Sequence, residues 1–228
     1  EDDVIYERYT TEDGQDGLAL RFFALAKETG AYTIKDGVTA LGSNSMQKAQ
    51  FTGVTIPKSV RSVNSFAFSN SNIESVTFAG SPSFGTEFET GATPGQGAFN
   101  SCESLREIKN FPNVDALPAQ LFSTAKSLET FTIPETVTSI GNSAFSNTAI
   151  TSITIPAGVK EMGNALFSTD ASTVEGEEPT RTALTVTFEK GSQLSSIGNS
   201  CFAGLDSYQL LFDPADADAY NMCAQRGY

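Results

Sequence analysis

Along most of the chain, large apolar residues come in pairs two positions apart, each followed by a polar step and then a second apolar pair. Phe131/Ile133, Ile153/Ile155, Val54/Ile56 and Val76/Phe78 have the period of a strand with one buried face. Pro57, Pro134 and Pro156 come next, and proline, which has no N–H for the ladder, ends the strand. The second pair, Val137/Ile140 or Val159/Met162, is predicted to turn back beneath the first strand. Gly42, Gly141, Gly163 and Gly198 follow, where a turn with unusual backbone angles is expected. A closing aromatic completes the unit.

Aligned on that aromatic, the chain falls into seven copies anchored at Met46, Phe68, Phe99, Phe122, Phe145, Phe167 and Phe202, spaced 22, 31, 23, 23, 22 and 35 residues apart. The two long spacings are read as the same unit plus an insertion, at 81–96 and at 168–182. One such copy cannot bury its apolar face alone, so neighbours must stack and share a core. The expected fold is mostly β with short helices and turns: a solenoid whose first strands make one parallel sheet, capped at both ends.

The pattern Leu128-x-x-Phe131-x-Ile133-Pro134, then Val137, Ile140-Gly141 and Ala144-Phe145, closely resembles the BspA-like leucine-rich repeat. The resemblance covers roughly residues 31–211, with departures: an extra residue before Pro112, Met46 in place of Phe, and Asn64 where other copies have Gly. It implies a leucine-rich-repeat solenoid that is extracellular or on the bacterial cell surface, acting in adhesion to a host or bacterial surface protein. The chain opens on Glu1 and not Met, so a removed N-terminal leader is expected, with a lipid anchor as one mode of attachment.

The organisation read from the sequence is an N-terminal cap at 1–30, the repeat array at 31–211 and a helical cap at 212–228. Residues 18–27 are open to both helix and strand readings. At the other end, Leu210-Leu-Phe212 reads as a last strand, Asp213-Pro214 as N-cap and first helical residue, and 215–225 as a helix stopped by Gly227. Asp213, Asp216 and Asp218 are better explained as carboxylates near a helix start than as a cation site.

Composition then removes function classes. With 14 Lys plus Arg against 27 Asp plus Glu, the net charge of −13 repels phosphate backbones, so no nucleic-acid partner is expected. The absence of His removes imidazole nucleophile systems and His-ligated zinc. No Gly-x-Ser-x-Gly elbow, P-loop or Rossmann fingerprint is present, so no enzyme and no cofactor is expected. The longest apolar run, 18–26, is broken by Arg21 and too short for a membrane span. Cys102, Cys201 and Cys223 read as buried hydrophobes, a Cys201–Cys223 bridge being left open, and no metal site is expected.

What remains is surface recognition. The outward positions of the first strands are Thr33, Thr55, Thr77, Lys109, Thr132, Thr154 and Thr187, with a companion row Ala31, Gly53, Ser75, Glu107, Thr130, Ser152 and Thr185. Stacked Thr pairs suit any sheet; they also offer a hydroxyl-lined face to a partner. Candidate binding residues are Thr77, Glu107, Lys109, Thr130, Thr132 and Thr154 on this face, with Phe84 and Phe88 as anchors in the first insertion. Protein–protein adhesion is the favoured expectation; glycan capture and a structural spacer are the alternatives.

Overall fold

The computed structural model describes residues 4–23, 30–85, 95–169 and 183–228, and the chain divides into two compact units, Glu1–Pro112 and Asn113–Tyr228. The strands of the N-terminal unit are β1 (Val4–Thr10), β2 (Asp16–Phe23), β3 (Ala31–Thr33), β4 (Ala40–Leu41), β5 (Gly53–Ile56), β6 (Ser62–Val63), β7 (Ser75–Phe78), β8 (Ser83–Phe84) and β9 (Glu107–Lys109). A first sheet has the order β3-β5-β7-β9 and a second the order β1-β2-β4-β6-β8. The C-terminal unit repeats the scheme with β10 (Ala116–Leu117), β11 (Ser139–Ile140), β12 (Ser152–Ile155), β13 (Glu161–Met162), β14 (Ala183–Phe188), β15 (Ser196–Ile197), β16 (Ser207–Leu211) and the helix α1 (Ala217–Gln225). Its first sheet is β12-β14-β16 and its second β10-β11-β13-β15. Apart from the β1–β2 hairpin, every pairing is parallel, as stacked coils require.

The apolar pairs face inward as their period demands, and the aromatic plugs pile up within each unit. Phe68 stacks on Phe99 at 5.2 Å; in the C-terminal unit Phe122, Phe145, Phe167 and Phe202 follow one another at 5.9, 5.8 and 6.0 Å. All seven anchors, Met46 included, are buried.

A third ladder runs through the turns that carry these plugs. Asn44, Met46 and Lys48 donate their N–H groups to Ser65, Ala67 and Ser69 of the following coil at 3.0, 2.7 and 2.9 Å. The residues between them, Ser45, Gln47 and Ala49, close tight turns onto Gly42, Asn44 and Met46. Ser143, Phe145 and Asn147 do the same toward Asn164, Leu166 and Ser168. The alternation requires a left-handed residue two positions before and two after the plug: Asn44 and Lys48, Phe66 and Asn70, Gln120 and Thr124, Ser143 and Asn147, all with φ between 53° and 63°. Such angles are costly for residues with a Cβ, and here the inter-coil hydrogen bonds hold them.

This corrects the reading of the glycines. None of Gly42, Gly141, Gly163 and Gly198 has a left-handed φ; the left-handed position lies two residues further on. Gly141, Gly163 and Gly198 are required by close approach. A Cβ on Gly163 would meet the backbone N of Asn142 at 2.5 Å, and one on Gly141 or Gly198 would press as hard on Ala119 or Asn164.

The insertion at 81–96 is also placed differently. β8 pairs with β6 in register, Ser62 with Ser83 and Val63 with Phe84, so 81–84 belongs to a regular coil. Val63 to Phe68 spans five positions and Phe84 to Phe99 fifteen, which puts the extra residues after the second sheet. Most of them, 86–94, lie outside the described residues, as does 170–182 of the second insertion.

At the N-terminal end the strand reading of 18–23 holds: β2 pairs with β1 and runs parallel to β4, with Ala19 opposite Ala40 and Leu20 opposite Leu41. At the C-terminal end α1 begins at Ala217, two residues later than expected, with Asp216 in the N-cap position. The Asp216 carboxylate does not cap its own helix; it accepts the N–H groups of Gly191 and Ser192 at 2.9 and 3.3 Å and so ties the helix to the preceding loop. Asp213 accepts from the Ala215 N–H at 2.9 Å. Among the described residues no three His, Cys, Asp or Glu side chains gather into a metal-ligand set.

Candidate functional site

The first sheet of the N-terminal unit carries the expected hydroxyl rows. Thr33, Thr55, Thr77 and Lys109 stand opposite one another across β3, β5, β7 and β9, with Ala31, Gly53, Ser75 and Glu107 in the companion row. Inward residues such as Val54, Val76 and Phe78 anchor the strands, and this leaves the alternate Thr positions on the surface. Lys109 and Glu107 break the neutral face and pair with each other, Nζ to Oε2 at 3.0 Å, both side chains about half exposed. At such exposure the pair contributes little stability, about 0–1 kcal/mol; its two charges remain presented to solvent.

The C-terminal unit departs from the row. Ser152, Thr185 and Gln209 stand in register across β12, β14 and β16, as do Thr154, Thr187 and Leu211. Thr130 and Thr132, however, are exposed and lie outside any strand. Phe131 occupies the inward position where other coils carry Val54, Val76, Ile153 or Val186, and its ring packs on Phe122 and Phe145 at 5.0 and 5.5 Å. Beside it lies a small pocket lined by Thr130, Thr132, Ser152, Thr154, Glu135 and Glu189.

Phe84 is not a surface anchor. As the partner of Val63 it points inward from β8, half-buried, stacked on Phe111 at 5.5 Å and edge-on to Phe78 at 6.4 Å. Phe88 lies outside the described residues, as do the acidic positions of the second insertion, Asp170, Glu175, Glu177 and Glu178.

The three cysteines are free and buried. Burial pushes the thiols of Cys102 and Cys223 up to about 11 and raises that of Cys201, so they are protonated at neutral pH and are poor nucleophiles.

Two features were not singled out from the sequence. One is an asparagine ladder on the second sheet of the C-terminal unit: Asn142 Oδ1 accepts the N–H of Asn164 at 2.8 Å, Asn164 Oδ1 accepts that of Asn199 at 2.8 Å, and Asn199 Oδ1 accepts from Arg226 Nη1 at 2.9 Å. Its signal was the recurring Gly-Asn dipeptide at 141, 163 and 198. The other is Tyr228, whose hydroxyl donates to the Gly198 carbonyl at 3.0 Å and accepts the Cys201 N–H at 3.1 Å. With Tyr208, stacked on Phe202 at 4.5 Å, it closes the ring column of that unit.

Among the described residues no helix is long and apolar enough to cross a membrane. No curated protein matches the chain. Among solved structures, the pneumococcal vaccine antigen PcpA is similar at 18% identity and TM-score 0.51, over 84% of this chain and 50% of that one. A leucine-rich cell surface protein from Faecalibacterium prausnitzii is similar at 19% identity and TM-score 0.47, over 90% of this chain and 75% of that one. A Treponema (T. pallidum) leucine-rich repeat protein is similar at 17% identity and TM-score 0.47, over 98% of this chain and 94% of that one. The model of the BspA type leucine-rich repeat region matches residues 21–89 and 39–175, in six copies. With more than half of its length matched and its coils stacked as that repeat demands, the chain belongs to the BspA-type leucine-rich repeat family.

Proposed function

We propose that the chain is a surface recognition module that adheres to a host or bacterial surface protein through its first-sheet face. The observation that carries this reading is the in-register row Thr33–Thr55–Thr77–Lys109, with the exposed Lys109–Glu107 pair beside it. A flat face fixed by three or more parallel strands offers hydrogen bonds without ordering cost, and two charges on an otherwise neutral row set the orientation of a partner. The family is one of bacterial leucine-rich repeat proteins, which bind proteins; PcpA is described as a vaccine antigen and the Faecalibacterium protein as a cell surface protein, and both descriptions agree with an exposed location. The test uses purified extracellular-matrix and bacterial surface proteins, captured by the intact chain and by a Thr55→Lys/Thr77→Lys variant of equal melting temperature. Binding by the intact chain that the variant loses supports the reading; binding that survives the substitution removes it.

A further inference from the structure

The second sheet of the C-terminal unit carries a polar trough, remote in the coil from the hydroxyl rows. Its floor is Ser139, Glu161 and Ser196, directly paired across β11, β13 and β15, and the space above them is about 490 Å³. One wall is the row Asn142, Asn164 and Asn199, one exposed residue per coil. Each side chain is held in one orientation, because a backbone N–H or the Arg226 guanidinium can bond only to the amide oxygen. The Nδ2 groups are thereby left as donors without a protein partner among the described residues. The result is three fixed donors at the coil period, about 4.7–4.9 Å for hydrogen-bonded strands, with a carboxylate and two hydroxyls beneath them.

We propose that this trough binds a neutral glycan chain lying across the coils, about one sugar unit per coil, whose oxygens accept from Asn142, Asn164 and Asn199 and whose hydroxyls donate to Glu161. Spacing favours a glycan over an extended peptide, which advances about 3.2–3.4 Å per residue and falls out of step with the coils at once; one pyranose ring advances by nearly a coil. Charge favours a neutral chain, since Glu161 and Arg226 both line the trough and offset each other, while the protein as a whole carries −13. No aromatic side chain lines the trough, so recognition is by hydrogen bonds and strengthens with chain length. This site is independent of the protein-binding face.

The test is an Asn142→Asp/Asn164→Asp variant of the full chain. Aspartate keeps an oxygen for each backbone N–H and turns the outward donor into a charged acceptor, which cannot donate to a sugar oxygen. The probes are neutral β-1,4-linked oligosaccharides of glucose, mannose and N-acetylglucosamine, of increasing length, titrated calorimetrically. Affinity should rise with length until the chain covers the three asparagines, and should fall about tenfold or more in the variant at unchanged melting temperature. If the melting temperature drops, Ser196→Gln, which fills the trough without touching the ladder, decides. Absence of binding by every oligosaccharide, or binding that persists in the deciding variant, overturns the proposal; neither outcome bears on capture of proteins by the first sheet.

Discussion

The position that leaves the second sheet is solved differently in the β6 coil and in the coils of β11, β13 and β15, although Gly42 and Gly85 occupy it in the two neighbours of the β6 coil. In the C-terminal unit it is glycine in three coils running, and the asparagine behind each glycine bonds along the stack or to Arg226. In the β6 coil of the N-terminal unit it is Asn64, fully buried, with both side-chain amide atoms unpaired and the equally unpaired, buried hydroxyl of Ser62 two residues before it. The backbone is the same in both: Asn64 N donates to Leu41 O at 3.0 Å as Gly141 N donates to Leu117 O at 2.8 Å. The coil is therefore set by main-chain pairing and by the inward pairs. The side chain at this corner decides whether the outer face presents ordered polar groups or buries unsatisfied ones.

Removing what the units share should have the largest effect. Phe145→Ala should cost about 3–5 kcal/mol through the cavity left between Phe122 and Phe167, against less than about 0.5 kcal/mol for Thr132→Ala on the surface. Urea melts of the two variants check this, and equal losses would mean that inside and outside are exchanged. Gly163→Ala should cost about 1–3 kcal/mol, because the new methyl presses on the Asn142 backbone and that backbone cannot yield without breaking the ladder; a neutral result in the same melts would show that the corner has slack. Asn64→Gly should move the other way. It removes a buried unpaired amide worth about 1–3 kcal/mol at a cost of about 0.5–1 kcal/mol in backbone entropy, for a net gain near 1 kcal/mol. A loss of stability there would show that Asn64 has a role in packing that its missing hydrogen bonds hide.

The inward half of the fold could be read from the sequence because one strong signal, the buried aromatic at a fixed interval, sets both coil length and register. The rows Thr33–Thr55–Thr77 and Thr154–Thr187 followed from that register alone. What could not be read depends on contacts between coils. Phe131 satisfies the apolar pattern as well as Val or Ile, yet Thr130 and Thr132 lie outside the ladder, whereas Tyr32 at the same position of β3 pairs in register with Val54. Phe84 looked like an insertion residue because the spacing gives the number of extra residues and not where they lie; only its pairing with Val63 returns it to a regular coil. The left-handed positions 44, 66, 143 and 165 carry Asn, Phe, Ser and Ala, which share no conformational preference, since the neighbouring coil's carbonyls and not the residue itself impose the angle.

The turn amides also give the stack a direction. Each plug-bearing turn sends its alternate N–H groups forward to the coil that comes later in the chain, as Phe145 does to Leu166 and Phe167 to Cys201. During synthesis from the N-terminus, a newly emerged coil therefore has its donors open until its successor leaves the ribosome, and consolidation trails translation by about one repeat. Among the described residues, the Phe202 turn sends no amide to the carbonyl of a later coil. Its aromatic ring and the Cys201 amide are closed instead by Tyr208 and Tyr228, so that a phenol and a ring face take the place that a following coil holds elsewhere in the stack.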